Sequence, residues 1–446
     1  MRKRSHRRSI GTALAVGLAV MLSSASIAQA QSSDKAPQAT DIGVTATEIH
    51  IAAIADVDNP IAPGTFQPVV DGVQAAARYI NSKAGGGGIA GRKLVVDFID
   101  SKLNPTAARN AVIQACGQDF AMVGTAAFFL SSMADAVNCP DKAGKATGLP
   151  DLMAIGGSAE GCSSVSFPVS PPAAVCDTRT QTPQTYRTNQ GAWRHLQKQN
   201  KNGLQGALIY NSDTKETDIG SRALIAGVTQ AGIKADQSVS VSARGEQTVY
   251  TPIVQKMKQD SSNFAFSTNT ADQTISFLSE AQLQGLTDPN IVWSCTIACY
   301  DKKITASSAT NRLYIPMSYL PFEETSANKM LANFVRYVTP AKATGFAVFG
   351  WVATIAFADA VKSVVAKQGI NGLTRAALFD GIRTLTAFNA EGMYGTVNIA
   401  DKSLTPCVLL VQNQNGKWIR QWPTKKGTFN CESSNVVQFQ ADFQGS

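Results

Sequence analysis

Residues 80–112 read INSKAGGGGIAGRKLVVDFIDSKLNPTAARNAV. The four glycines Gly85 to Gly88 follow a helix-period stretch and mark its end, because glycine enters the left-handed conformation that a helix terminus and a tight turn require. Residues 93–99 form a short apolar run of strand type, closed at its carboxyl end by Asp100 and Ser101. Pro105 then stands where a helix begins, a position at which its missing N–H removes no hydrogen bond. Helix, turn, strand, loop and helix succeed one another within 33 residues.

The same alternation extends in both directions. Residues 48–55, 121–124 and 152–155 are strand-like, while 67–82 and 105–118 space their apolar residues by three and four. Alternation of this kind predicts right-handed βαβ units around a parallel sheet. Residues 162–176, rich in serine and proline, break the pattern and are expected to be a surface loop near a cleft mouth. After Tyr186-Arg187 a second series starts, with helices expected at 189–199, 218–231, 251–259 and 271–284. Strands are expected between them at 206–210, 237–241, 264–267 and 291–294. Residues 312–319 are strand-like, 326–338 helical, and 345–366 form a helix so apolar that it is expected to pack back on the first body. Residues 396–422 alternate polar and apolar around Gln414-Asn415-Gly416, a hairpin signal. The expectation is α/β: two Rossmann-like lobes with parallel central sheets joined by a multi-strand hinge. Lobe 1 takes 42–185 and 319–391, lobe 2 takes 186–318, and 392–446 return through the hinge mainly to lobe 2. The chain crosses near Tyr186, Tyr319 and Gly392. A length of 446 residues also favours two cores over one.

Residues 1–30 have the three parts of a secretion signal: Arg2, Lys3, Arg4, Arg7 and Arg8, then an apolar run over 10–22, then Ala28-Gln29-Ala30. Cleavage is expected before Gln31, releasing the protein to the periplasm, cell envelope or exterior without a membrane span, and 31–41 read as a disordered lead-in. Without those five basic residues the 40 Lys and Arg become 35 against 32 Asp and Glu, a balance of +3, which leaves no footprint for nucleic acid. Eight cysteines in an exported chain read as disulfides. They fall into four sequence-local couples: Cys116 with Cys139, Cys162 with Cys176, Cys295 with Cys299, and Cys407 with Cys431. The spacings do not fit a zinc site, and no metal or other cofactor is expected.

Catalytic patterns are missing. Of three histidines, His6 leaves with the signal, His50 lies within a strand pattern and His195 on a polar helix face, so a Ser/His/Asp triad has no evident base. Gly156-Gly157-Ser158-Ala159-Glu160 is not a nucleophile elbow, since G-x-S-x-G requires glycine where Glu160 stands. Gly85 to Gly88 lack the GK[ST] of a phosphate loop. Binding without turnover is the expectation.

Residues 80–112 closely resemble a segment of the leucine/isoleucine/valine-binding-protein family of type I periplasmic binding proteins, in which "IN…GGI.G", "L…D" and "P..A" succeed one another. Weaker echoes run through Ala121-Met122-Val123-Gly124, Ala207-Leu208-Ile209-Tyr210, Gly220 and Gly350-Trp351. The resemblance implies a monomer that holds a small molecule between its lobes and delivers it to an ABC-type membrane permease. A ligand-sensing receptor component acting through a partner protein is the alternative. Open α/β sheets also bind ligands beyond the carboxyl ends of their strands. The candidate ligand-binding residues on those loops are Asn59, Phe66, Ala126, Phe128, Ser158 and Ala159 from the first lobe. Asp218, Ile219, Asn269, Thr270, Thr296 and Tyr319 complete the set. Amino-acid binders of this family resemble one another in offering a serine, a threonine, a tyrosine and an acid to their ligand. The matching positions here are Phe128, Ser158, Ile219 and the neighbourhood of Ser294-Cys295-Thr296-Ile297, and only the hydroxyl at Ser158 is kept. A buried ammonium without a carboxylate is costly. The ligand is therefore expected to be hydrophobic or aromatic, a carboxylate being one form, and not an ordinary aliphatic amino acid.

Overall fold

The opening stretch folds as its punctuation predicts. In the computed structural model, which describes residues 36–443, helix α1 (Gln67–Asn81) runs into a turn in which Gly86, Gly87 and Gly88 have φ of 102°, 82° and 135°. Strand β2 (Lys93–Asp100) follows, and Asn104 caps helix α2 (Pro105–Gln118) by accepting from the N–H groups of Thr106 and Ala107. With β1 (Glu48–Ala55), β3 (Ala121–Val123) and β4 (Asp151–Leu152), β2 makes a four-stranded, all-parallel sheet in the order β2-β1-β3-β4. The short helices α3 (Ala134–Val137) and α4 (Ser158–Gly161) follow β3 and β4.

Strand β5 (Gln184–Asn189) and helix α5 (Gly191–Gln199) lead to a second, seven-stranded sheet. Its parallel part is built from β6 (Gln205–Tyr210), β7 (Lys234–Ser240), β8 (Phe264–Ser267), β9 (Val292–Cys295) and β10 (Tyr314–Met317). Helices α6 (Lys215–Gln230), α7 (Thr251–Gln259), α8 (Ala271–Leu283) and α9 (Lys302–Ala306) connect them. Both faces are buried: Ala207, Ile209 and Ala265 join one core cluster, and Leu208, Phe264 and Phe266 another. Double burial is the usual state of a parallel sheet flanked by helices. After helices α10 (Lys329–Val338), α11 (Gly345–Gln368) and α12 (Arg375–Ile382), the antiparallel hairpin of β11 (Leu409–Gln414) and β12 (Lys417–Trp422) completes this sheet beside β10. Its tip is Asn415-Gly416, both at positive φ (51° and 82°), as a two-residue hairpin turn requires. Strand β13 (Val436–Ala441) pairs antiparallel with β5.

Helix α11 passes the length and hydropathy of a membrane span, yet it is mostly buried within the protein. It lies against α1 at backbone contact: a Cβ on Gly72 would stand 2.1 Å from the Ala347 carbonyl oxygen, and one on Gly350 2.0 Å from that of Val69. The apolar helix thus packs on the first sheet's side, as its composition predicts.

Four disulfides join Cys116 to Cys139, Cys162 to Cys176, Cys295 to Cys299 and Cys407 to Cys431.

Several expectations are corrected. The segment between Cys162 and Cys176 is no surface loop: Val165, Ser166, Phe167 and Val169 are buried, and 165–169 run parallel beside β4 through Asp151 N–H to Val165 O, Phe167 N–H to Asp151 O and Val169 N–H to Met153 O. Buried backbone needs hydrogen-bond partners, and β4 supplies them. The lead-in is tied down from residue 36 onward in the described residues. Asp41 is buried and accepts from the N–H groups of Lys142 and Arg375, and Arg92 donates to Gln38 O. The signal over 1–30 and residues 31–35 lie outside the described residues. Residues 189–199 are not wholly helical, since 184–189 form β5, and 396–408 precede the hairpin instead of extending it.

Candidate ligand-binding site

The carboxyl ends of the parallel strands from both sheets face one cavity of about 650 Å³. Asn59, Phe66, Leu103, Phe128, Ile155 and Gly156 line it from the first sheet's loops. Asn211, Glu216, Phe266, Asn269, Thr270 and Thr296 line it from the second, and Arg187 and Asn189 of β5 and Phe346 of α11 complete the wall named here. Two contacts join the opposite sides at its rim. The Arg244 guanidinium donates to the Pro60 carbonyl oxygen, and the Ser158 N–H donates to Glu216 Oε2 at 3.0 Å. Glycine at 157 lets the carboxylate come this close, since a Cβ there would stand 2.8 Å from the Glu216 carboxyl carbon.

One wall is aromatic. Phe66 and Phe128 stack with centroids 5.0 Å apart, Phe66 meets Phe346 edge to face at 5.4 Å, and all three rings are only partly buried. Asp56, wholly buried at the end of β1, sets this wall. It accepts from Ser101 Oγ at 2.6 Å, Leu103 N–H at 2.7 Å and Phe128 N–H at 2.7 Å, tying together the loops after the first three strands.

The polar side is different in kind. Arg187 Nη2 donates to the Lys402 carbonyl oxygen, while its buried Nε has no hydrogen-bond partner, and no carboxylate pairs with it among the described residues. Burial lowers the Arg187 pKa from its ordinary value, with the more distant Asp401 opposing. A guanidinium stays charged in a protein even so, so the cavity carries a cation with donor capacity left over. Lys402, whose pKa burial also lowers, spends its ammonium on the Ser163 carbonyl oxygen at 2.5 Å.

Six of the twelve residues proposed from sequence line the cavity: Asn59, Phe66, Phe128, Asn269, Thr270 and Thr296. Their polar groups are largely engaged locally. Asn59 donates to Asp56 O and Ala62 O and accepts from Ile61 and Ala62 N–H. Asn269 donates to Val241 O, Thr270 caps α8, and Thr296 accepts from Ala298 N–H. The other six do not line it. Ala126 is in the core and bridges Ala55. Ser158 and Ala159 lie just past it, because β4 ends at Leu152 and the chain offers Ile155 and Gly156 instead. Asp218 pairs with Arg222 at 2.9 Å, and Ile219 packs with Ala174 and Tyr186. Both sit a turn inside α6, whose true start is the Thr214/Thr217 capping box, so Thr214, Glu216 and Thr217 face the cavity. Tyr319 is fully buried next to Tyr394, which does line the cavity. Arg187, Phe346 and Asp56 were not among the proposed residues. Gln184–Asn189 alternates in burial, with Gln184, Tyr186 and Thr188 buried and Thr185, Arg187 and Asn189 less so, a pattern that does not single out Arg187.

Beneath α4 lies a pair of buried acids. Asp151 accepts from Thr125 Oγ1 at 2.8 Å and Ser166 Oγ at 2.5 Å, yet burial raises its pKa to about 6. Burial raises Glu160 well above the carboxylate range, and the neighbouring Asp151 charge raises it further.

Two α/β bodies whose parallel strands end at one partly aromatic cavity have the architecture of the two-lobed binding proteins. The chain belongs to the periplasmic binding protein family, whose model matches residues 48–417. It shares the fold of a fatty acid ABC transporter substrate-binding protein from Thermomonospora curvata, at 14% identity and a TM-score of 0.63 over 89% of this chain and 99% of that one. The branched-chain amino acid transporter substrate-binding protein LivJ from Streptococcus pneumoniae, in complex with isoleucine, matches at 13% identity and 0.63 over 84% and 100%. A solute-binding protein of R. palustris in complex with 4-hydroxybenzoate matches at 14% identity and 0.59 over 84% and 95%. No curated protein matches the sequence.

Proposed function

We propose that this chain is an exported solute-binding protein. Its lobes, divided near residues 186, 319 and 392, close on a small organic acid with a hydrophobic or aromatic body and deliver it to an ABC-type permease. The observation that carries the reading is the pairing of Arg187, a cation with an unused buried donor, with the Phe66, Phe128 and Phe346 wall of the same cavity. A carboxylate beside Arg187 would complete a charge-assisted pair, while an apolar body would cover rings that are now partly open. Fold relatives that include a fatty acid transporter's substrate-binding protein and one in complex with 4-hydroxybenzoate are in keeping with such cargo. An ammonium finds less: the acids lining the second lobe are already engaged, Glu216 by Ser158, Asp213 by Asn211 and Ala243 N–H, Asp272 by Lys303, and Asp301 by the Lys303 N–H.

Isothermal titration with benzoate, 4-hydroxybenzoate, octanoate and leucine tests this. The aromatic or aliphatic acids are expected to bind, and Arg187→Met to weaken them roughly 30-fold or more, about 2 kcal/mol for one charge-assisted contact, while their methyl esters bind both proteins alike. Selective tight binding of leucine, or acids that bind the variant as well as the native protein, overturns the reading.

A further inference from the structure

We propose a second site, for a divalent transition-metal ion, on the first sheet and separate from the ligand cavity. Its residues are His50 on β1, Asp97 on β2 and Asp119 just after α2, whose donor atoms all lie within 4.8 Å of one another. The fold brings them together: β1 and β2 pair in parallel with Ala52 opposite Asp97, and Phe120 N–H donates to His50 O, which sets Asp119 beside the imidazole. None of the three lines the cavity, which lies past the other end of these strands.

The observation that points to an ion is Asp119. Its residue is 0% exposed, and neither carboxylate oxygen receives a hydrogen bond of acceptable geometry among the described residues. The adjacent Gln118 amide does not complete one, and the group facing Asp119 is the carboxylate of Asp97. Among the described residues neither acid forms an ion pair with a lysine or arginine, and Asp97 Oδ2 stands 2.8 Å from His50 Nδ1. The nearby Arg375 donates to the Asp119 main-chain carbonyl and to other carbonyls instead. Two carboxylates turned toward each other beside a histidine nitrogen offer the donor types that zinc and its neighbours in the first transition row take.

The outer contact also fits. Glu48 Oε2 stands 3.4 Å from His50 Nε2. A carboxylate on one imidazole nitrogen fixes the tautomer and leaves the other nitrogen's lone pair for a metal. In a tetrahedral site with bonds near 2.0–2.1 Å the ligand atoms stand about 3.3 Å apart. His50 Nδ1 and Asp97 Oδ2 therefore need to separate by roughly half an ångström, a side-chain adjustment. The half-exposed Glu48 and His50 leave the site open to solvent for entry and for a water as remaining ligand. All eight cysteines are in disulfides, so no thiolate competes.

The test is titration of tag-free, metal-stripped protein with zinc alone, by calorimetry and by thermal shift. The native protein is expected to take up one equivalent with micromolar or tighter affinity and a raised Tm. His50→Ala and Asp119→Asn should each weaken binding by tenfold or more, while His195→Ala, whose ring stacks on Trp422 at 4.6 Å, should leave it unchanged. Asp119→Asn keeps the shape of the buried side chain and is expected to fold, so its loss of zinc binding is separable from misfolding by an unchanged or higher metal-free Tm. Absence of saturable zinc binding at millimolar concentration, or binding indifferent to both substitutions, overturns the proposal. Zinc-dependent binding lost equally in His195→Ala does so too.

Discussion

Replacing Gly350 by alanine should both destabilise the protein and loosen its ligand site. The added Cβ would stand 2.0 Å from Val69 O, 2.9 Å from Val69 C and 3.1 Å from Val73 N, all backbone atoms of α1. Ordinary contact begins at 3.4 Å, so α1 and α11 must part by about 1.4 Å at this point. Neither helix can yield by rotating a side chain. Overpacking of a core typically costs 1–3 kcal/mol, and backbone against backbone places this case at about 3 kcal/mol. At about 1–2 °C per kcal/mol for a body of this size, Tm falls by about 3–6 °C. The functional consequence follows from position: α1 begins beside Phe66 and α11 carries Phe346, so parting the helices opens their 5.4 Å ring contact. Acid affinity should fall with stability. Gly117→Ala is the control, since that glycine has an ordinary helical φ in α2 and nothing within 4 Å of its added Cβ. There alanine should be neutral or stabilising by up to about 1 kcal/mol. Differential scanning calorimetry on both variants decides it. A Gly350→Ala protein melting within a degree of the native one, or a Gly117→Ala protein falling as far, refutes the reasoning.

Asp56→Ala strands three donors, those of Ser101, Leu103 and Phe128, and is expected to cost about 3 kcal/mol or more in chemical denaturation, with weaker acid binding because Phe128 loses its anchor; an unchanged denaturation midpoint would contradict that role. The buried pair Asp151 and Glu160 has raised pKa values in the folded state, so it holds protons that the unfolded chain releases near pH 4. Its contribution to stability is most favourable below about pH 4 and is lost as pH rises through about 6 for Asp151 and higher for Glu160. Glu160→Gln should therefore gain on the native protein as pH rises from 5 to 8. A stability difference that stays flat across that range would show that the two acids are not coupled to folding.

Much of this architecture is written in local punctuation. Pro105 and Pro252 stand in the first turns of α2 and α7, glycines turn the chain after α1, and Asn415-Gly416 folds the hairpin, so those elements fall where the residues predict. Sheet β5–β13 was less legible, because QTYRTN and VVQFQA carry few of the apolar runs that mark a strand and acquire their structure by pairing over more than 240 residues. Pairing with β4 likewise turned a serine- and proline-rich loop into buried backbone. The site was half legible. Strand-end loops do line the cavity, but a displacement of three residues in the start of α6 puts Thr214, Glu216 and Thr217 there in place of Asp218 and Ile219. Arg187 is set by tertiary placement: nothing local distinguishes a cation in a cavity from one on the surface.

The most direct measurement is a crystal structure of the protein with the tightest-binding acid from the titrations. The carboxylate should lie within hydrogen-bond reach of the Arg187 guanidinium, with the apolar body against Phe66, Phe128 and Phe346 and the molecule chemically unchanged. Density for the acid outside the cavity, or inside it with Arg187 turned away and the carboxylate held elsewhere, would contradict the account.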